Sequence, residues 1–269
     1  MSNPPEVRRA ILTHQDATRQ VRESVERFAR ARWLAMEDYR DADVDRMVAD
    51  VVPVSLGGQL RIAALTDNYM ASLLTASGYP TPASGIPAEE VTGEALRGVP
   101  PEEVYRRSGV TVWAALSDGH DLQMATRMGL DRLMKTVAMD LQLAKTHAAR
   151  WFGSRNSNVV GYRRVLTGAE NCGLCVLAST QRYHKGELLP IHNGCDCEVA
   201  AITGKVDPGQ VIDQERLDAL HDLALERTGD YDPTGKKDVD YRKIRVREHG
   251  EYGPVLTWAD QHFTGPRDI

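Results

Sequence analysis

Four cysteines and a histidine lie close together in the sequence, and these four are all the cysteines of the chain. Cys172 and Cys175 are separated by two residues, and His192, Cys195 and Cys197 follow after sixteen more. Two thiolates at this separation can bind one face of a tetrahedral ion in a tight turn, and a second pair about 15 to 20 residues later can complete the shell. The spacing therefore predicts a zinc site.

These five donors compete for four positions in a tetrahedral shell. Cys172 and Cys175 form the first pair. The second is either His192 with Cys195 or Cys195 with Cys197, and the spacing alone does not choose between them. Disulfide pairing is the alternative to metal, but so short a separation gives little loop-closure stabilisation. Thiols also stay reduced in the cytosol, where we expect the chain to be made.

The predicted zinc is structural. A catalytic zinc usually keeps one open position and has a general base nearby, whereas thiolates dominate here and enough donors exist to close the shell. Binding of such an ion contributes directly to folding. Glu187 and Glu198 flank the cluster and His184 lies between its halves, and we expect all three to be solvated.

Composition limits the classes of function. The 269 residues include 33 Lys and Arg against 38 Asp and Glu, which gives a net charge of -5. No overall basic field would attract nucleic acid, so any DNA contact must be local. The first residues lack the pattern of a secretory signal, and no apolar run approaches the roughly 18 residues of a membrane span. We therefore expect a soluble chain with no membrane partner.

Residues 1–153 are predicted to form a helical domain, a bundle of about five helices. The first helix is expected to end near Asp41, with a narrow apolar seam that suits packing on a long helix or a partner protein. The seam consists of Val7, Ile11, Val21, Val25 and Phe28. A second helix over 41–51 is expected to stop at Pro53, and a third to follow Gly57. A loop rich in proline and glycine is predicted over 79–101, and the clearest helix over 120–152.

Residues 154–269 are predicted to form a second unit, which begins in the polar segment 153–158. Strands are predicted over 159–166, 198–203 and 241–248, and an amphipathic helix over 214–228. The resulting fold class is α+β, with an N-terminal helical bundle followed by a small zinc-stapled β-rich module that has one or two helices.

Several segments of this module resemble the Mu F-like minor head proteins of tailed bacteriophages. The similarity is strongest in Cys172-Gly-Leu-Cys175 and in Pro190-Ile-His192-Asn-Gly-Cys195-Asp-Cys197, and it extends to 162–168 and 180–183. The segments 246–251, 253–257 and 261–265 look like the version carried by phages of actinobacteria. The family often has Arg between its last two cysteines, where this chain has Asp196, which weakens any phosphate contact at that point.

The resemblance implies a virion component inside the capsid near the portal vertex, made in the host cytoplasm. Its expected partner is the portal protein, with the major capsid protein and packaged DNA as further partners. The implied role is in head assembly or in DNA packaging and ejection, through protein contacts. Carried onto this sequence, the family's motif residues are Cys172, Cys175, His192, Cys195 and Cys197.

Two alternatives are an enzyme and a local DNA-binding protein. The family is sometimes connected with capsid maturation proteases and with ADP-ribosyltransferase folds, but no catalytic constellation stands out. The remaining histidines are interpreted as surface or helix residues: His14, His120, His147, His221, His249 and His262. For DNA contact, the candidates are the arginines within residues 1–40 and the basic segment 241–247, and a solvated helix face and a charged edge strand explain both.

Overall fold

The computed structural model describes residues 4–167, 170–186, 188, 197–209 and 217–223, together with the backbone of short strands between 230 and 258. The described chain is mostly helical and contains small antiparallel sheets. The mixed α+β class predicted from the sequence is therefore confirmed.

The first half is built from long helices around a common core. They are α1 (Pro5–Leu34), α2 (Asp41–Ala76), the short α3 (Glu94–Arg97), α4 (Pro101–Ser117) and α5 (Leu122–Arg155). Helix α2 packs against α1, α4 and α5. The centre of this bundle contains Trp33, Val44, Tyr105, Leu133 and Val137, all buried. Most of the stripe predicted for α5 is buried, although Leu122 at its start is exposed.

Close approach of three helices depends on a glycine in α5. A Cβ atom at Gly129 would lie 2.6 Å from the ring of Trp33 and 2.6 Å from Val112. Trp33 belongs to α1 and Val112 to α4, so this residue without a side chain lets both neighbours reach the α5 backbone. The glycine costs roughly 1 kcal/mol of helix propensity, which the burial of a whole tryptophan side chain outweighs.

The prediction of two helices separated at Pro53 is wrong, because α2 runs unbroken through Pro53, Gly57 and Gly58. A proline in a helix interior costs about 3 kcal/mol. Val51 and Val52 beside it are buried, and burial of each such side chain stabilises by roughly 1.5 to 3 kcal/mol. Tertiary packing on both sides of the proline thus outweighs the local signal.

The first helix is also shorter than predicted, since it ends at Leu34 rather than near Asp41. The chain reverses over residues 35–40, where Tyr39 has a positive φ of 53°. Trp113 of α4 donates its Nε1 hydrogen to the Tyr39 carbonyl oxygen at 2.9 Å. A contact from a distant helix therefore fixes a turn that the helical pattern of this segment conceals.

The predicted loop over 79–101 has little regular structure, namely a 3-10 turn at Ala88–Glu90 and helix α3. Buried polar side chains of α2 hold it. The Asp67 carboxylate accepts hydrogen bonds from the backbone N–H groups of Ser84 and Gly85 at 2.9 and 2.8 Å. Gln59 accepts one from Gly93 N–H at 2.9 Å. The loop backbone thus takes its partners from the bundle.

The described part of the second half contains small antiparallel sheets and two short helical segments. The elements are β1 (Val159–Val165), β2 (Glu170–Cys172), α6 (Gly173–Ser179), β3 (Glu198–Thr203), β4 (Asp230–Tyr231), β5 (Lys237–Asp238), β6 (Ile244–His249) and β7 (Gly253–Trp258). Strand β1 pairs with β3, β2 pairs with β6 and β6 with β7, and β4 pairs with β5. Residues 217–223 are helical, within the helix predicted over 214–228.

One hydrophobic core crosses the boundary predicted at residues 153 and 154. Val7 and Ile11 of α1, Leu74 of α2 and Phe152 of α5 share it with residues of β1 and β3. At the junction, a Cβ atom on Gly153 would lie 1.9 Å from the Tyr162 hydroxyl oxygen, which donates to the Ala149 carbonyl at 2.9 Å. Strands β1 and β3 are therefore packed onto the helices through a shared core.

Helix α2 is also long and apolar enough to span a membrane by length and composition, which the sequence analysis did not anticipate. In the fold its residues supply much of the bundle core, among them Val44, Val51, Ile62, Met70 and Leu74. The contacts with α1, α4 and α5 give this apolar helix a partner on several sides.

Candidate functional site

Three of the predicted metal donors lie in one buried cluster, the cysteine cluster, formed by Cys172, Cys175 and Cys197. Each has at most 2% of its surface exposed. Cys172 ends β2, Cys175 is in α6, and Cys197 immediately precedes β3. Strand pairing and the short helix thus bring together thiols that are more than twenty residues apart in sequence.

The Cys-x-x-Cys pair adopts a tight turn at the start of α6. Cys172 is the residue before the helix, and its Sγ accepts a hydrogen bond from the backbone N–H of Cys175 at 3.4 Å. The two sulfurs are 3.2 Å apart, well beyond the roughly 2.05 Å of a disulfide bond. This geometry gathers two thiols at one end of α6, as the sequence predicts.

A buried positive charge lies against the cysteine cluster. Arg164 of β1 is 1% exposed, and its Nη1 is 3.5 Å from the Sγ of Cys197. Its guanidinium also lies 5.5 Å from the ring centre of Tyr183. Burial raises the pKa of the Tyr183 hydroxyl, Arg164 opposes that shift, and the sulfurs of Cys197 and Cys175 add to it. These four groups therefore share one electrostatic environment.

The remaining predicted donors, His192 and Cys195, lie outside the described residues. Among the residues that are described, no three side chains of His, Cys, Asp or Glu are arranged to hold a metal ion. The chemistry of the donor set nevertheless fits zinc, because buried thiols in contact with one another are the ligands that a structural site uses.

The expectation that Glu198 is solvated is wrong. His14 is a helix residue, as one of the two interpretations from the sequence had it, and it lies on the buried face of α1. Glu198 is 0% exposed and His14 is 4% exposed, and the His14 Nδ1 lies 3.1 Å from the Glu198 carboxylate. Lys145 of α5 approaches the same carboxylate at 3.4 Å. These three residues, which we call the charge network, join α1 and α5 to β3, with Glu198 and His14 buried and Lys145 half-buried.

The Glu198 carboxyl stays ionised in this environment. Burial by itself raises its pKa, but Lys145 and His14 outweigh burial and lower the pKa to about 2. Its own neighbour also helps, since the backbone N–H of Val199 donates to the carboxylate at 3.0 Å. The network therefore holds a buried anion with its countercharges supplied from two helices.

His14 is held on its other sides as well. Its Nε2 is 3.1 Å from the Oγ1 of Thr66, and its ring stacks on Tyr69 at 4.2 Å with an interplanar angle of 6°. Tyr69 donates its hydroxyl hydrogen to the Val199 carbonyl at 2.9 Å. His14 Nε2 thus has a hydroxyl partner, and the ring is stacked on an aromatic neighbour.

Glu198, His14 and Thr66 are connected as the carboxylate, histidine and hydroxyl of a nucleophilic triad are. Such a triad acts only if a substrate can reach its hydroxyl. The Thr66 hydroxyl donates to the Ile62 carbonyl at 2.8 Å and is 1% exposed. A groove of 690 Å³ between α1 and α2 is lined by His14 and Tyr69, whereas Thr66 does not line it. The hydroxyl is therefore committed to its own helix, and the arrangement suits a structural role.

The helical spacing of α1 carries a sequence signal for the burial of His14. Val7, Ile11, His14 and Thr18 follow the spacing of one helix face, and all four are buried. Lys145 and Arg164 gave no such signal, because long charged side chains are rarely buried. The expectation for His184 is confirmed, since it is exposed.

Of the two basic segments predicted as DNA contacts, the structure describes the side chains of the first and only part of the backbone of the second. In α1 and the following turn, five of the eight arginines make ion pairs with acidic side chains, namely Arg19, Arg22, Arg27, Arg32 and Arg40. Such pairing removes much of the local positive field. Residues 241–243 lie outside the described part of the chain, and β6 is described by its backbone alone.

Comparison of the chain with protein-family models, with curated proteins and with solved structures found no match.

Proposed function

We propose that this chain is a minor capsid protein of a tailed phage, of the Mu F-like type, located inside the head near the portal vertex. In this proposal it acts through protein contacts in head assembly or DNA packaging and ejection, and it performs no catalysis. The observation that carries the proposal is the cysteine cluster. Three of the motif cysteines on which the resemblance rests, Cys172, Cys175 and Cys197, are buried together.

We also propose that the module binds one structural zinc ion. When bound, zinc would cross-link β2, α6 and the start of β3 and add its binding energy to folding. The packing of Cys197 against Cys172 and Cys175 favours Cys195 with Cys197 as the second pair over His192 with Cys195. Substitution of His192 by alanine should then leave zinc bound, and Cys197→Ser should remove it. Metal analysis of both purified variants would test this choice.

The proposed portal contact is supported by exposed apolar residues at one end of the helical bundle. The turn between α1 and α2 and the turn between α4 and α5 meet there, because Trp33 near the end of α1 and Val112 near the end of α4 both lie against Gly129 near the start of α5. The large apolar residues exposed in this region, which we call the bundle tip, are Leu34, Leu116, Leu122, Met124 and Met128. Concentrations of exposed apolar side chains are typical of protein interfaces.

Co-expression with the portal protein from the same phage genome tests this proposal. We expect the two proteins to co-purify and to migrate together in size-exclusion chromatography. Leu122→Asp combined with Met124→Asp should abolish the association. The matched control is Val160→Asp, since Val160 is an equally exposed apolar residue on β1 far from the bundle tip in sequence. A wild-type chain that never associates with its portal protein would overturn the proposal.

Specific contacts argue against the two alternative functions, a protease and a DNA-binding protein. A threonine or serine protease needs an available nucleophile beside a positioned histidine, and the His14 partner Thr66 is buried and bonded within its helix. DNA binding through α1 is opposed by the ion pairs of its arginines. Incubation of the protein with the major capsid protein should therefore yield no defined cleavage product.

A further inference from the structure

The bundle tip combines exposed apolar side chains with an excess of carboxylates. Two turns form it, residues 35–40 between α1 and α2 and residues 118–121 between α4 and α5. Arg127 in the second turn of α5 is exposed as well, so four carboxylates at this end of the bundle outnumber two guanidinium groups. The charged residues of the two turns, all exposed, are Glu37, Asp38, Arg40, Asp118 and Asp121.

Contacts between the two turns place these charges on one surface. The Trp113 Nε1 hydrogen bond to the Tyr39 carbonyl oxygen, at 2.9 Å, joins the end of α4 to the first turn. The ring centres of Trp33 and Tyr39 are also 5.4 Å apart. Leu34 lies directly before the first turn and Leu116 two residues before the second, and they are 63% and 41% exposed. The carboxylates therefore border the exposed apolar residues.

Groups within the chain balance only part of this negative charge. Asp38 lies 3.9 Å from Arg40, and an exposed pair of this kind is held weakly. Asp121 is the N-cap of α5, where its carboxylate accepts a backbone N–H at 2.7 Å, a neutral donor that adds no positive charge. Glu37 and Asp118 make no ion pair with another residue that the structure describes. An excess of negative charge is thus left for a partner to meet.

This pattern distinguishes between two kinds of partner for the apolar residues. Two copies of the chain that met tip to tip would bring the same carboxylates together, and like charges across an interface oppose association. A different protein, with lysine or arginine around an apolar site, would gain attraction instead. Complementary charge of this kind mainly raises the association rate and makes that rate sensitive to salt.

We infer that the bundle tip binds a protein surface that has an apolar centre and a basic border, and that its carboxylates direct the encounter and oppose self-association. This inference rests on the proposed function, in which the portal protein is the partner. The apolar side chains supply most of the affinity, whereas the carboxylates set the association rate and the choice of partner.

The test measures association of the full chain with immobilised portal protein by surface plasmon resonance, at about 50 and about 500 mM salt. The wild type should associate at least about threefold more slowly at the higher salt concentration. Glu37→Gln combined with Asp118→Asn should lower the association rate at low salt and reduce its salt dependence. The dissociation rate should change by less than about twofold, because the apolar contacts remain.

The matched control is Glu89→Gln combined with Glu102→Gln. Both residues are exposed, and the pair changes the net charge by the same amount. Glu102 lies at the opposite end of α4 from the bundle tip, and Glu89 lies in the 3-10 turn. The control pair should leave the association rate within about twofold of wild type, because steering depends on charge near the contact.

Three results would overturn the inference while the portal contact stands. The first is a portal association rate that is the same at both salt concentrations, and the second is an equal loss of rate in the control pair. The third is self-association of the wild type in sedimentation velocity that Leu122→Asp combined with Met124→Asp abolishes, since a second copy would then occupy the bundle tip. A wild-type chain that does not bind its portal protein at all would instead overturn the proposed function, and this inference with it.

Discussion

Cys197 and Glu198 are adjacent in sequence but belong to two different buried clusters. Glu198 faces the helices, where Lys145 and His14 balance its charge with groups from the chain itself. Cys197 packs with the other thiols, where Arg164 supplies a positive charge beside sulfur. The comparison indicates that the charge network holds β3 to the bundle without a ligand, whereas the cysteine cluster is expected to gain most of its stability from a metal.

The largest expected effect is on the cysteine cluster. Cys175→Ser should abolish zinc binding and loosen the packing of β2 and α6, because binding energies of structural zinc reach roughly 10 to 16 kcal/mol. Zinc content per chain and limited proteolysis would measure the two effects. His184→Ala serves as the control, since His184 is exposed. Equal protease resistance of the variant and the zinc-loaded wild type would remove the distinction between the two clusters.

The next effect concerns the charge network. Glu198→Gln should reduce the free energy of unfolding by about 2 to 4 kcal/mol, because it removes the buried anion that faces His14 and the half-buried Lys145. Urea denaturation followed by circular dichroism would measure the loss. Asp131→Asn is the comparison, since it breaks an exposed pair with Lys135 and should cost less than about 1 kcal/mol. Similar losses in the two variants would show that the network is not special.

Acid should weaken the network in a defined direction. The pKa of Glu198 is about 2 in the folded chain against an ordinary value of 4.5. Its contribution is therefore fully present above about pH 4.5 and is lost as the pH falls toward 2. Asp207, whose pKa is also about 2 because of the hydrogen bond from Arg163, adds to the same loss of stability in acid.

Glu198→Gln isolates the part due to Glu198. All samples contain a metal chelator. Between pH 5 and pH 3 the free energy of unfolding of the wild type should fall more steeply than that of Glu198→Gln, because the pKa of Glu198 is lowered in the folded chain. In the variant, the free energy of unfolding should fall with pH only by the part that other groups, such as Asp207, contribute. Parallel stability curves for the two proteins would contradict the assigned ionisation of Glu198.

The smallest expected effect concerns the contact between α5 and β1 at Gly153. Gly153→Ala should destabilise by roughly 1 to 3 kcal/mol, because its Cβ would overlap the Tyr162 hydroxyl. Gly57→Ala is a matched helical control with open space around the added carbon, and it should stabilise by about 0.5 to 1 kcal/mol. Thermal unfolding would compare the stability of the two variants. A stabilised Gly153→Ala would show that the contact between α5 and β1 is loosely packed.

Local pattern predicted much of the secondary structure but missed the features that depend on distant contacts. The strand at 198–203 and the start of the strand at 159 match the fold, since alternation and β-branched residues act within one segment. The break at Pro53 was wrong, because buried neighbours outweigh the cost of the proline. Glu198 was misjudged for a similar reason, since its countercharges come from helices far away in sequence.

For the candidate site, the sequence by itself determined the identity and spacing of the donors and their concentration in one segment. Cys172 and Cys175 meet because two intervening residues fit one turn, which is a local constraint. Only the tertiary structure decided that Cys197 joins them, that Arg164 lies against its sulfur, and that His14 and Lys145 surround Glu198. Those contacts arise when β1 and β3 pack onto the helices, and burial then selects which charges must be neighbours.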